Sequence, residues 1–337
     1  MTETAGTPVP GAARLAVVTG AAGFIGSRLC GLLLAAGWRV RAFVRYGSAG
    51  GIGGLAGLPE AAGDTLEVHR GDLLDVEGVL RAVDGADAVF HLGARISIPY
   101  SYEAPRDTFQ VNALGTLNVL EAVRHAGARR LVHVSTSEVF GSAVALPMAE
   151  GHRLRAQSPY AASKIAADKL VESYACAFGL PAVVVRPFNT YGPGQSPRAV
   201  IPTVIQQALA GGPVRLGTLA PERDFTFVDD TARAMMLAAD APGAVGREIN
   251  LGTGEAIAIG ALARRIIALA GPPCEIVHDA GRTRPPASEV DRLCSDNRLA
   301  AELLGWRPRV SLDEGLRRTI AWWREDAGRF GWRGYAV

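Results

Sequence analysis

The amino-acid sequence predicts an α/β fold: a doubly wound, mainly parallel sheet joined to a smaller mixed α/β lobe. Three observations predict it. Short apolar strand signals alternate with helical stretches, the pattern that builds a parallel sheet with helices on both faces. The first strand signal runs straight into a glycine-rich turn and an apolar helix. Further on, Tyr160 and Lys164 stand four residues apart at the start of a capped, alanine-rich helix.

The spacing predicts strands over 14–19, 38–44, 65–70, 87–92, 130–135 and 181–186, with helices near 24–36, 76–83, 108–126 and 159–178. After Arg186-Pro187 the texture changes, and 187–224 carry many Pro and Gly. Residues 225–250 return to helix and strand and are expected to rejoin the sheet. The expected organisation is therefore a disordered tail over 1–13, a dinucleotide-binding domain from 14–186 plus 225–250, and a second lobe from 187–224 plus 251–337. A charged helix near 311–325 ends in Trp322-Trp323, which are expected to anchor packing.

Bulk properties exclude several classes. The chain has 337 residues, 48% hydrophobic and 20% charged, as an ordinary globular enzyme does. A net charge of +2 from 35 basic and 33 acidic residues gives no electrostatic footprint for nucleic acid. The four cysteines (Cys30, Cys176, Cys274, Cys294) form no CxxC, so reduced thiols in a cytoplasmic protein are the simplest reading. Six histidines show no metal-ligand spacing, and no metal is expected. No apolar run reaches membrane-spanning length. The first thirteen residues lack a charged start and apolar core, so they do not resemble a signal peptide.

The motifs carry chemistry. Leu15–Thr19 leads into Gly20-Ala21-Ala22-Gly23-Phe24-Ile25-Gly26. Gly20 and Gly23 let the backbone turn tightly and approach a pyrophosphate, and Gly26 lets the helix pack on the strand. The helix N-terminus offers unpaired N–H groups to phosphates, a Rossmann-type arrangement. Gly51-Ile52-Gly53-Gly54-Leu55-Ala56 also fits a glycine fingerprint, but no long apolar helix follows, and it is expected to be a flexible loop. Ser158 can cap the helix that Pro159 opens, so Tyr160 and Lys164 share one face. An ammonium near a phenol is expected to lower its pKa and fit it to take a proton from an alcohol.

Taken together, GAAGFIG (20–26), GDLLD (71–75), HLGA (91–94), VNALGTLNVLEA (111–122), STSEVFG (135–141), YAASK (160–164), RPFNTYGPGQ (186–195) and RDFTFVDD (223–230) resemble the extended short-chain dehydrogenase/reductases, the nucleotide-sugar epimerases and dehydratases. The resemblance spans about 14–325. It implies a Rossmann-type domain with a nucleotide-sugar lobe, a tightly bound and recycled NAD or NADP, and a homodimer formed through a four-helix bundle of the helices near 108–126 and 159–178. Within that family, Thr136-Ser137-Glu138 resembles the sugar-nucleotide 4,6-dehydratases, which carry a glutamate where a plain 4-epimerase has a small residue. Ile98-Pro99-Tyr100-Ser101-Tyr102 and Ser196–Pro202 resemble the dehydratases acting on N-acetylglucosamine nucleotides in legionaminic-acid pathways, and GDP-mannose 4,6-dehydratase shares the Thr-Ser-Glu order. Ser137 stands where dTDP-glucose dehydratases have an acidic aspartate, which leaves Ser137, Glu138 or water as the proton donor to the C6 hydroxyl.

The resemblance implies roles residue by residue. Thr136 would hydrogen-bond the C4 oxygen, Tyr160 would take the C4 proton, Lys164 would tune it, and Glu138 would remove the C5 proton. The dinucleotide would meet Gly20, Gly23, Phe24, Ile25, Gly26, Arg45, Ser48, Asp72, Leu73, Leu92, Ala94, Asn112, Ser135, Tyr160, Lys164 and Pro187. The substrate would meet Ser97, Asn189, Arg198, Arg223 and Arg284, the arginines through bidentate contact with the diphosphate. The second strand ends Phe43-Val44-Arg45-Tyr46-Gly47-Ser48 without the carboxylate that selects NAD, so Arg45 and Ser48 favour NADP. A 4-epimerase, a 5,6-dehydratase, a UDP-glucuronate decarboxylase and a non-enzymatic dinucleotide sensor remain alternatives, the last opposed by intact Thr136, Tyr160 and Lys164.

Overall fold

The computed structural model describes residues 13–46, 52–58, 60–271, 273–283 and 285–325. The expected tail up to residue 12, together with Ser48 and Arg284, lies outside them. Strands are β1 (Leu15–Thr19), β2 (Arg39–Arg45), β3 (Leu66–Gly71), β4 (Ala88–His91), β5 (Arg130–Val134), β6 (Ala182–Pro187), β7 (Asn189–Tyr191), β8 (Val214–Leu216), β9 (Glu222–Phe227), β10 (Glu248–Leu251), β11 (Ala256–Ala258), β12 (Ile276–His278) and β13 (Arg292–Leu293). Helices are α1 (Phe24–Ala35), α2 (Val76–Val83), α3 (Ile98–Glu103), α4 (Pro105–Phe109), α5 (Gly115–Ala126), α6 (Pro159–Phe178), α7 (Val200–Leu209), α8 (Val228–Asp240), α9 (Ile259–Ala270), α10 (Arg298–Leu304) and α11 (Leu312–Glu325).

Seven strands form one sheet in the order β10-β6-β5-β4-β1-β2-β3, and every pairing in it is parallel. Both faces are covered, which is why β1 is buried at every position. Ala16 and Val18 face α1, α8 and α10 among Leu29, Leu33, Met235 and Trp306. Val17 faces α2, α5 and α6 among Val79, Val119, Leu120 and Val171. Chain order reverses between β1 and β4, and at such a point an open sheet leaves a crevice at the carboxyl ends of its strands.

The smaller lobe is built on a four-stranded sheet (β11-β9-β13, with β7 on β9) and the pair β12-β8. Its core joins Ile201, Val204, Phe225, Phe227, Leu262, Leu316 and Trp323. Trp323 is buried there and meets Trp322 edge to face at 5.2 Å.

Four local features differ from the sequence expectation. First, β9 runs through residue 225 and pairs within the smaller sheet, so α8 and β10 are what rejoin the large one. Second, α10 packs on α8 and β10, bringing Trp306 back to the large core with its indole N–H on Asp230 O at 2.9 Å. Third, the helix expected over 108–126 is interrupted by a π-turn at Gln110–Leu114, a wide turn frequent at functional sites. Fourth, the glycine stretch expected to be a loop forms a 3-10 turn at Gly53–Gly57 docked on α1. There Gly54 N donates to Ala22 O at 3.1 Å, and a Cβ at Gly53 would meet Ala22 O at 2.6 Å. Close backbone contact explains these glycines. Among the described residues no helix is long and apolar enough to cross a membrane, and no cluster of His, Cys, Asp and Glu is placed to hold a metal.

Substitution at the helix–strand approach tests this packing. A Cβ at Gly26 would lie 2.3 Å from Gly20 O, whereas one at Gly57 meets nothing within 4 Å. Gly26→Ala is expected to cost about 1–3 kcal/mol and lower the thermal midpoint by several degrees, with Gly57→Ala near neutral in the same melting experiment.

Candidate active site

The crevice begins at the glycine turn. Gly20 has φ +69°, and a Cβ there would meet Gly93 N at 2.9 Å. Gly23 N donates to Gly20 O at 3.0 Å, closing the turn. Gly23 caps α1 without a side-chain acceptor, and no acidic residue stands in the first turn, which holds Phe24, Ile25 and Gly26. The N–H groups of that turn are thus left to a ligand, and an anion is the ligand they suit. This cradle fits the pyrophosphate of a dinucleotide.

Thr19 pins the crevice walls. Its Oγ1 accepts from Leu92 N at 3.1 Å and Gly93 N at 3.0 Å, which uses both lone pairs. Its proton therefore goes to His91 Nδ1 at 2.8 Å. His91 is then the neutral Nε2–H tautomer, donating to Thr116 Oγ1 at 3.0 Å, and Thr116 donates on to Asn112 O at 2.6 Å. Burial and the neighbouring His133 and Lys164 hold the His91 pKa well below its ordinary value, in agreement with that bonding.

The reacting groups come from two elements. Thr136 caps a 3-10 turn over Ser137–Phe140 that follows β5, its Oγ1 accepting from Glu138 N at 3.2 Å. Ser137 is buried in that turn and Glu138 is half-buried. Ser158 caps α6, accepting from Ala161 N at 3.1 Å, with Pro159 in the first turn. Tyr160 and Lys164 follow one turn apart, both buried. The Tyr160 phenol lies beside Thr136 and within electrostatic reach of Glu138 and Asp168. Here the sequence expectation is corrected. Burial pushes the phenol pKa up, the Thr136 contact opposes this, and the carboxylates of Glu138 and Asp168 add to it. The Lys164 ammonium donates to Val134 O at 2.8 Å.

Beneath them lies a buried charged network absent from the sequence reading. Asp168, one turn beyond Lys164, is fully buried. Its Oδ2 accepts from Ser135 Oγ at 2.7 Å and from Arg186 Nη2 at 3.1 Å. Arg186 also reaches Glu248 at 2.7 Å. His133 Nε2 lies 3.3 Å from Asp168 Oδ1, at ion-pair distance but without hydrogen-bond alignment. Burial opposes the Asp168 charge, yet the contact with His133 and the charges of Arg186 and Lys164 outweigh it and hold the carboxyl below its usual range. His133 is pushed down to about 4, chiefly by burial and then by Lys164. The signals were present: Asp168 sits at i+4 from Lys164 and Arg186 opens a quoted motif. Neither could be read as paired without the strand order.

The remaining expected residues are placed as follows. Asn112, buried in the π-turn, bonds both backbone groups of Arg95 (2.7 and 3.0 Å) and donates to Ser163 Oγ at 2.9 Å, so it ties α6 to the loop after β4. That loop begins with Leu92, Gly93 and Ala94. Ser135, expected at the dinucleotide, gives its hydroxyl to Asp168. Arg45 is exposed at the end of β2, opposite Gly71 in the register. Asp72 accepts from Leu74 N at 2.9 Å and shapes the turn after β3, with Leu73 buried beside it. Ser97, expected at the substrate, caps α3 and accepts from Tyr100 N at 3.3 Å. Pro187 ends β6, and Asn189 starts β7 with its Oδ1 buried and without a hydrogen-bond partner. Arg198 is exposed. Arg223, expected at a diphosphate, is buried, its fork turned to Glu222 O at 2.9 Å and Glu289 Oε1 at 3.2 Å.

Such a sheet, with a glycine cradle at the switch point and a tyrosine–lysine helix across it, defines a dinucleotide-dependent protein of the short-chain dehydrogenase/reductase class. The family described as GDP-mannose 4,6 dehydratase matches residues 17–319, and the chain belongs to it. The chain is 35% identical over 317 residues to a UDP-glucose 4-epimerase of Mycolicibacterium smegmatis, covering 91% of this chain and 98% of that one. It is 33% identical over 327 residues to a dTDP-glucose 4,6-dehydratase of Actinoplanes sp., covering 94% and 99%. A double mutant of the dTDP-glucose 4,6-dehydratase DesIV from Streptomyces venezuelae, solved with NAD bound, superposes with a TM-score of 0.84 at 32% identity, covering 94% and 98%.

The buried imidazoles give a pH prediction. The folded pKa of His133, about 4, lies below its ordinary 6.5. The unfolded chain therefore binds more protons between those values, so stability falls as pH falls through that window. His91 acts in the same sense. Denaturant midpoints are expected to drop from pH 7 to pH 4.5, and His133→Asn is expected to flatten that dependence.

Proposed function

We propose that the chain is a nucleotide-sugar 4,6-dehydratase acting on UDP- or GDP-N-acetylglucosamine. The observation that carries this is the meeting of Thr136, Tyr160 and Glu138: the phenol lies beside the threonine and within electrostatic reach of the glutamate. A nicotinamide dinucleotide seated on the α1 N-terminus supplies reversible hydride storage. Tyr160 takes the proton of the C4 hydroxyl while Thr136 holds the C4 oxygen. With a ketone at C4 the C5 proton is acidic, and Glu138 removes it as the C6 hydroxyl departs. The proton Glu138 gains then serves the leaving hydroxyl, since Ser137 is buried within its turn; C6 takes back the hydride stored from C4 and C5 is reprotonated from solvent, which gives the 4-keto-6-deoxy sugar. Asn189, with its orphaned Oδ1, is the sugar-side polar group, and Arg198 and Arg284 serve the diphosphate together with a reoriented Arg223. We assign residues 187–224 and 251–337 chiefly to this substrate lobe.

Arg45 at the end of β2 supports a 2′-phosphate and hence NADP. Parallel titrations with NAD and NADP test this, and a clear preference for NAD would discard it. We further propose a homodimer through α5 and α6, whose outer surface carries Phe178, 56% exposed, under the Arg124 guanidinium at 5.0 Å. A 4-epimerase is the second reading, favoured by the mycobacterial relative.

Incubation in heavy water with UDP- and GDP-N-acetylglucosamine separates these. A dehydratase yields a product lighter by one water and deuterated at C5, whereas an epimerase leaves the mass unchanged. Glu138→Gln is expected to keep C4 oxidation, read as reduced nicotinamide absorbance, and to slow dehydration by about 10²–10⁴-fold. Undiminished dehydration by that variant would remove Glu138 from the mechanism.

A further inference from the structure

Lys164 and Lys169 are the two lysines of this chain, and its other basic side chains are arginines. Lys169 is exposed and pairs with Glu172. Lys164 is 4% exposed, and its ammonium donates to the backbone carbonyl of Val134. One carbonyl does not compensate a buried ammonium. The surrounding charges do. The groups facing this space are Tyr160 and Asp168 on α6, Glu138 on the turn after β5, His91 on β4, His133 on β5, Arg186 on β6 and Glu248 at the edge of β10. The two imidazoles are neutral. Arg186 spans two carboxylates, Asp168 and Glu248. The buried cations Lys164 and Arg186 therefore face the carboxylates Asp168, Glu248 and Glu138, of which Asp168 is the fully buried one and lies on the same helical face as Lys164.

We propose that Asp168 is a positioning residue: clamped by Ser135 and Arg186, it supplies the buried negative charge that keeps the Lys164 ammonium charged one turn from Tyr160. The inference rests on the proposed reading only in giving that ammonium a catalytic use. Burial drives Lys164 down and the Asp168 charge pulls against it, leaving the ammonium at about 8. An ammonium in that seat titrates within reach of neutrality, which a guanidinium does not. Arg186 retains Glu248 when Asp168 is neutralised, so Asp168→Asn removes one charge without orphaning the guanidinium.

Two lysines make the test direct. In ligand-free full-length protein labelled at lysine Cε, an NMR pH titration gives one signal each for Lys164 and Lys169. The wild-type Lys164 midpoint is expected well below that of Lys169. In Asp168→Asn it is expected to fall by roughly one further unit while Lys169 is unmoved. In turnover assays the same variant is expected to lose about fivefold near pH 8 and to recover toward pH 6, whereas a merely structural role would depress every pH alike. A Lys164 midpoint unmoved in the folded variant, or a wild-type midpoint equal to that of Lys169, overturns the proposal. Asp168→Ser, which removes the charge with a smaller side chain, gives the same reading if the amide does not fold. A shifted lysine in a protein that turns over no nucleotide sugar supports Asp168 and counts against the proposed function instead.

Discussion

The arrangement of this protein turns on a buried ionic contact, that of Asp168 with Arg186. It fastens α6 to β6, and through Ser135 and His133 it fastens α6 to β5 as well. The turn carrying Thr136 and Glu138 grows directly from β5, so the same contact fixes the distance between the two halves of the reacting cluster. Such a contact is not an economical source of stability, because removing these charges from water costs several kcal/mol per ion. Its value is geometric: a carboxylate with three partners on two strands permits one helix position. Breaking one partner leaves an uncompensated charge, so the network holds or fails as a unit.

Much of the fold was legible because local signals agreed with one another. The apolar run of β1, the glycine turn and the Ser158 cap each specify an element end without tertiary help. The illegible parts are those decided by contacts distant in sequence. Gly53 and Gly54 read as loop because the reason for them lies on α1, and α10 read as lobe because its partners are α8 and β10. The π-turn at Asn112 follows from a side chain pulled toward Arg95 and Ser163, which no periodicity announces.

The site shows the same division. Thr136, Glu138, Tyr160 and Lys164 came from spacing and motif, and the fold brings them together. Their electrostatics did not follow from spacing. An i,i+4 pair suggested an ammonium lowering a phenol, yet the ammonium turns to the β5 carbonyl while burial and two carboxylates raise the phenol. Asp168, His133 and Arg186 escaped notice because a buried charge has no signature of its own in a sequence. Likewise Ser97 and Ser135 sit where motifs suggested, with hydroxyls committed to a helix cap and to Asp168.

The central claim is that one cluster oxidises C4 and eliminates water across C5 and C6. The most direct test follows an isotope. An N-acetylglucosamine nucleotide carrying deuterium on C4 is turned over, and the product is read by NMR. Deuterium at C6 of a 4-keto-6-deoxy sugar is expected. Deuterium retained at C4, in an epimer or in a 5,6-unsaturated product, would contradict the account.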